Sequence, residues 1–155
     1  MSTAMIKAAG LFVVCISLAL AAVWQQVQAA EVAEVCDLSF SGGAKLSGVP
    51  IARTRAQYAK GLSNRTEPGA GMLFVFEQPA KLAFWMRDTF FPLSIAFMSE
   101  DGTVFLIENM QPESDEYHLS MRPAKYALEV EQGKFQREGI LAGEKMLKIE
   151  CRSTE

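Results

Sequence analysis

The chain is poor in the residues on which most enzymes and metal centres are built. It holds one histidine, His118, and 3 cysteines in 155 residues. It has no His-Glu-x-x-His pair, no Gly-x-Ser-x-Gly elbow and no glycine-rich phosphate loop. The motifs of zinc peptidases, serine hydrolases and phosphate-loop nucleotidases are therefore missing. Positive charge is also scarce. Lys and Arg number 15 against 18 Asp and Glu, a net charge of −3, and no basic stripe occurs. Nucleic-acid binding needs such a footprint, and so does a polybasic lipid-surface site, so both classes are disfavoured. No internal repeat and no low-complexity segment is present.

Long apolar runs are confined to the beginning. Lys7 is the only charged side chain before Glu31, Ala8 to Val23 is almost wholly apolar, and Val27-Gln28-Ala29 offers small residues at a cut site. This is the plan of an export signal, residues 1–29, cleaved after Ala29 or Ala30. The run falls short of the roughly 20 residues of a membrane span. An uncleaved membrane anchor is the alternative. The expected location is periplasmic or secreted, with no membrane attachment after cleavage. What remains, about 125 residues, is the size of one domain.

Two cysteines survive processing, Cys36 and Cys151, one near each end of the mature chain. In an oxidising compartment an even count reads as a disulfide. Closing so long a loop contributes about 4–5 kcal/mol as an upper figure. It also requires the first and last strands to be neighbours.

Between the cysteines the pattern is mostly extended. Val35 to Phe40 reads as a strand, Ser41-Gly42-Gly43-Ala44 as a turn, and Lys45 to Ala52 as a second strand in which Pro50 marks an edge or a bend. Thr54 is placed to cap a short helix over Arg55 to Lys60 that stops at Gly61. Met72 to Phe76 is apolar at every position, which predicts a central strand covered on both faces. Leu82 to Thr89 alternates, with Ala83, Trp85, Arg87 and Thr89 on one face. Leu93 to Ser99 and Thr103 to Asn109 flank Asp101-Gly102, a hairpin signal. Tyr126 to Val130 alternates again, with Glu129 on the polar side of an otherwise apolar strand, Lys134 to Glu138 can form a turn or two of helix, and Lys145 to Cys151 is the last strand. The expected fold is α+β and strand-rich: a single compact, partly closed barrel-like domain over 35–152 with two short helices.

The wording of these segments resembles the DUF192 family. The resemblance runs through Ala52-Arg53-Thr54, Gly61-Leu62-Ser63-Asn64-Arg65, Gly71 to Phe76, Phe84 to Thr89 with Leu93, Leu128-Glu129 and Gly133, in order and at compatible spacing. It implies a compact, mainly β domain, commonly exported, with no established reaction. Two positions depart from the family pattern. Asp88 stands where the pattern has Asn before Thr, and Ser94 where it has Asp after Leu. A carboxylate that carried the family's activity would here be lost, or moved to Asp88.

The candidate site gathers along the tryptophan segment. Arg65 and Arg87 supply charge, Trp85 a stacking face, and Thr89 and Glu129 hydrogen bonds, for a small polar ligand or a partner protein segment in a cleft beside Trp85. Each has a structural reading too. Arg65 and Glu129 can pair as a strut between helix and sheet, and Trp85 can be a core residue. The expected function is non-enzymatic binding without a cofactor. A different class, a small glycan hydrolase, would use Asp88 and Glu129 as acid and base at a separation of about 5–9.5 Å. Copper(I) handling through His118 and Met121, in a segment that reads as loop, is a third reading, since imidazole and thioether suit that ion.

Overall fold

A computed structural model describes residues 34–154. The signal-peptide reading of residues 1–29 lies outside the described residues. Among the described residues no helix is long and apolar enough to cross a membrane.

The chain runs β1 (Glu34–Phe40), β2 (Lys45–Ala52), α1 (Arg55–Lys60), β3 (Met72–Ala80), β4 (Ala83–Phe84), β5 (Leu93–Met98), β6 (Val104–Met110), β7 (His118–Leu119), β8 (Ala124–Glu131), α2 (Lys134–Glu138) and β9 (Met146–Ser153). Seven strands form one sheet in the order β6-β5-β8-β3-β2-β1-β9, and β4 pairs with β7 apart from it. All the pairings in the large sheet are antiparallel except β2 with β3. The sheet curls until its two edges meet at one end. Thr103 bridges Lys145, and the Val104 amide donates to the Glu144 carbonyl at 2.8 Å. The Met146 amide donates to the Gly102 carbonyl at 3.0 Å. Gly102 permits this approach, because a Cβ there would sit 2.5 Å from the Met146 carbonyl oxygen, and its φ is +85°. The architecture is the strand-rich, partly closed barrel that the alternation pattern predicts.

Both faces of the middle strands are covered, which explains the unbroken apolar run in β3. Leu73, Ala96, Met98, Leu128 and Val130 join Leu38, Val49 and Ile51 in one core, inside the curl. Met72, Phe74, Leu93, Ile95, Phe97 and Ala127 join Leu62, Leu82 and Met86 in a second core on the opposite face. The second core lies under α1 and the β4–β7 excursion. The chain-end strands β1 and β9 are neighbours, and Cys36 and Cys151 face each other in register as a disulfide.

Local chemistry accounts for the helix that overhangs the second core. Thr54 and Gln57 form a capping box: the Thr54 Oγ1 accepts from the Gln57 amide at 3.3 Å, and the Gln57 Oε1 accepts from the Thr54 amide at 3.0 Å. The helix ends at Gly61, φ +47° and ψ −131°, a positive φ outside the left-handed helical region expected there. Tyr58 ties the helix to β3. Its ring stacks on Phe76 with centroids 4.5 Å apart, and its hydroxyl donates to the Val75 carbonyl at 2.6 Å.

Four segments differ from the sequence expectation. Leu82 to Thr89 is strand only at Ala83–Phe84, because Asp88 takes φ +56° and the Thr89 amide turns back to the Met86 carbonyl at 3.1 Å. His118–Leu119, read as loop, pairs with that short strand. Pro50, expected at an edge or a bend, lies in an interior strand, which removes the edge reading. β2 pairs with β1 up to Pro50 and with β3 from Ile51, so the missing amide falls where the partner changes. Glu129, placed by alternation on a polar side, shares the apolar face of Ala127 and is buried.

Candidate functional site

An open cleft of about 460 Å³ lies over the second core. Its floor and walls are Phe74 and Phe76 from β3, Leu82, Ala83 and Phe84 around β4, Trp85 just after β4, and Tyr117 just before β7. Helix α1 and its C-terminal turn form the other side through Arg55, Tyr58, Lys60 and Gly61. Glu129 of β8 also lines the cleft. Small-molecule sites commonly occupy about 300–1,000 Å³ and combine apolar walls with a few polar groups, which this cleft does.

Glu129 is the unusual member. It is 5% exposed and sits in register between Met72 of β3 and Ile95 of β5, both essentially fully buried. No hydrogen bond or ion pair holds its carboxyl among the described residues, and no buried side-chain oxygen of the described residues is left without a partner. The carboxyl oxygens are therefore not sealed in, and their opening is the cleft. Burial alone pushes this carboxyl up to about 8, so it is mostly protonated at neutral pH. In that state it offers one O–H donor and a carbonyl acceptor. Gly71 sets the local backbone. A Cβ there would lie 2.1 Å from the Glu129 carbonyl oxygen, so only glycine lets the loop entering β3 pack so closely on β8.

Trp85 is 43% exposed and lies at the cleft wall. Tyr117 approaches it with ring centroids 5.6 Å apart. The Arg87 guanidinium sits 4.4 Å from the Trp85 ring centroid and donates through Nε to Asp115 at 2.8 Å. That hydrogen bond raises the Arg87 pKa further, and the guanidinium keeps its charge. Tryptophan is thus steadied on one face while part of its surface remains open.

Of the five residues expected to bind ligand, Trp85 and Glu129 line the cleft and Arg65, Arg87 and Thr89 do not. Arg87 acts on Trp85 instead. Thr89 is buried, and its hydroxyl donates to the Arg87 carbonyl at 3.4 Å, closing the turn after Trp85. The Arg65 amide donates to the Leu62 carbonyl at 3.4 Å, and no ion pair joins Arg65 to Glu129 among the described residues. Asp88 is exposed and outside the lining, while its carbonyl accepts from the Asn64 amide at 2.8 Å. Its φ of +56° is one that Asp and Asn tolerate better than most residues, so a backbone reason covers both Asp88 and the family's Asn. Ser94 is buried. Its hydroxyl donates to Asn109 Oδ1 at 2.7 Å and accepts from the Gly133 amide at 3.3 Å, a structural tie away from the cleft. His118 places Nδ1 3.1 Å from Glu108, and Met121 is 72% exposed. Among the described residues no group of three or more His, Cys, Asp or Glu side chains could hold a metal ion.

Sequence reasoning missed the basic residues at the mouth, Arg55, Lys60 and Lys81, and the aromatics Tyr58, Phe76 and Tyr117. The first two bases and Tyr58 were legible as one short helix, but nothing local says which face overhangs a cleft.

The family model for DUF192, described as Uncharacterized ACR, matches residues 38–147. The chain belongs to the DUF192 family. A crystal structure of a protein of unknown function from Novosphingobium aromaticivorans DSM 12444 is 35% identical over 72% of this chain and 81% of that one, with a TM-score of 0.65. A Sinorhizobium meliloti 1021 protein, provisionally described as a transcription regulator, is 31% identical over 77% of this chain and 92% of that one, also with a TM-score of 0.65. The search of curated proteins gave no match. Much of the DUF192 wording converges on the cleft: Gly61, Phe74, Phe76, Phe84, Trp85 and Glu129 all line it.

Proposed function

We propose that this DUF192 domain is an exported binding protein whose cleft beside Trp85 holds a small polar ligand without transforming it. Export rests on the sequence of residues 1–29. The observation that carries the binding reading is Glu129: a buried carboxyl with no partner among the described residues, opening into an aromatic-walled space of about 460 Å³. Leaving a buried polar group unpaired costs about 1–3 kcal/mol, and a ligand's hydrogen bond would recover part of it. Glycan hydrolysis through two carboxylates draws no support from the lining, in which Glu129 is the only acid among the described residues. The regulator description of the Sinorhizobium protein draws none from a net charge of −3.

Trp85 is the only tryptophan between residues 34 and 154, so its fluorescence reports on the cleft directly. The test is to purify wild-type and Trp85→Ala protein from the periplasm, denature both, and identify released small molecules by mass spectrometry. A compound retained by the wild type and absent from the variant is the expected result. Identical profiles from the two proteins, with both folded, would remove the cleft as the binding site.

A further inference from the structure

The charges at the cleft mouth specify more than binding. Arg55, Lys60 and Lys81 line the cleft, all three are exposed, and none forms an ion pair among the described residues. Elsewhere among the described residues Arg53, Arg87, Arg137, Lys145, Lys148 and Arg152 each meet a carboxylate, while Lys45, Arg65, Arg122, Lys125 and Lys134 form no ion pair and lie apart from the cleft. What sets Arg55, Lys60 and Lys81 apart is that all three line one opening, on a protein of net negative charge. Among the described residues no acid lines that opening except the buried Glu129. A cationic ligand would have to pass all three bases, whereas an anion is drawn toward them.

The aromatic and carboxyl lining specifies the rest. Phe74, Phe76 and Phe84 line the same cleft together with the exposed rings of Trp85 and Tyr117, surfaces that take a flat or apolar body. We propose that the cleft selects amphiphilic organic anions. Arg55, Lys60 and Lys81 hold the acidic group at the mouth, the aromatic walls hold an apolar middle, and the Glu129 carboxyl meets an uncharged hydroxyl or carbonyl. This selectivity rests on the binding reading above and narrows it to one chemical class.

A pH signature accompanies the geometry. The titratable groups facing Glu129 across the cleft are Arg55, Tyr58 and Lys60 from α1, Lys81 ahead of β4, and Tyr117 ahead of β7. The flanking strands present Met72 and Ile95, which do not titrate. Ionised Glu129 would repel the bound anion and lose its donor proton, so affinity falls as pH rises through the range where Glu129 ionises. A fall that disappears in Glu129→Gln belongs to Glu129.

Three probes of one shape separate the possibilities: phloretate, its amide phloretamide, and tyramine share a phenol on a short chain and differ in charge. Binding is followed by Trp85 fluorescence at neutral pH and low salt. Phloretate is expected to bind roughly tenfold more tightly than tyramine, with phloretamide between, since three exposed ion pairs of ordinary strength amount to about that much. The triple variant Arg55→Gln, Lys60→Gln, Lys81→Gln should abolish the preference while its melting temperature stays near the wild-type value. Phloretate affinity should fall by up to about tenfold per pH unit above the Glu129 midpoint, and Glu129→Gln should flatten that fall. Tyramine binding as tightly as phloretate would overturn the anion selectivity and leave the cleft a binding site. No response to any probe at millimolar concentration, together with identical retained compounds in wild type and Trp85→Ala, would overturn both.

Discussion

Strand β8 presents two faces built to different ends. On one, Leu128 and Val130 are sealed inside the curled sheet among Leu38, Val49, Ile51, Leu73 and Met98, an all-apolar packing closed by the β1–β9 disulfide. On the other, one residue along, Glu129 replaces an apolar side chain between Met72 and Ile95, and the space above it stays open. The first face contributes stability through burial. The second gives up some of that stability, since an unpartnered carboxyl among hydrocarbon is unfavourable. A position that works against the fold while lining an open cleft is a reason to look for function there.

The contrast can be broken most forcefully on the sealed side. Leu128→Ala should cost about 2–5 kcal/mol, measured by urea unfolding, because the cavity it leaves cannot fill with water. Reducing the Cys36–Cys151 bridge should cost about 2–5 kcal/mol and lower the melting temperature, with Trp85 fluorescence of the folded protein unchanged. An unchanged melting temperature would mean that strand pairing alone holds β9 at the edge.

On the open side the sign reverses. Glu129 is pushed up to about 8 from an ordinary value of 4.5 by burial. Below the lower value the carboxyl is protonated whether the chain is folded or not, and it carries no ionisation penalty. As pH rises from there toward the higher value, only the unfolded chain ionises freely, so the folded state loses stability across that window. Glu129→Gln removes the loss. The variant should match wild type in acid and be more stable above pH 8, by roughly 2–4 kcal/mol as an upper range. Equal stabilities at both ends of the pH range would mean that the carboxyl is solvated. The smallest effect should come from Asp88→Asn, within about 0.5 kcal/mol by the same unfolding measurement, since both residues accept the positive φ and the side chain lies outside the cleft.

The strands, the helix cap at Thr54, the Asp101-Gly102 hairpin and the pairing of the two ends were legible because each is written in local periodicity or in the cysteine positions. Glu129 was misplaced for a physical reason. Alternation says which residues share a face, and Glu129 does share one with Ala127, but it does not say whether that face meets water or a second core. The β4–β7 pair, two residues each, is too short to carry a periodic signal. Arg65 and Arg87 looked like ligand contacts because charge near an aromatic strand invites that reading. The turn at Asp88 instead aims Arg87 back over Trp85.

The chemistry of the cleft turns on the protonation state of one side chain. Carboxyl carbon chemical shifts of isotopically labelled protein, assigned by comparison with Glu129→Gln and followed across the pH range, read it directly. A Glu129 midpoint near 8 is predicted. A midpoint at the ordinary carboxylate value would show a solvated or partnered group and would contradict the cleft described above.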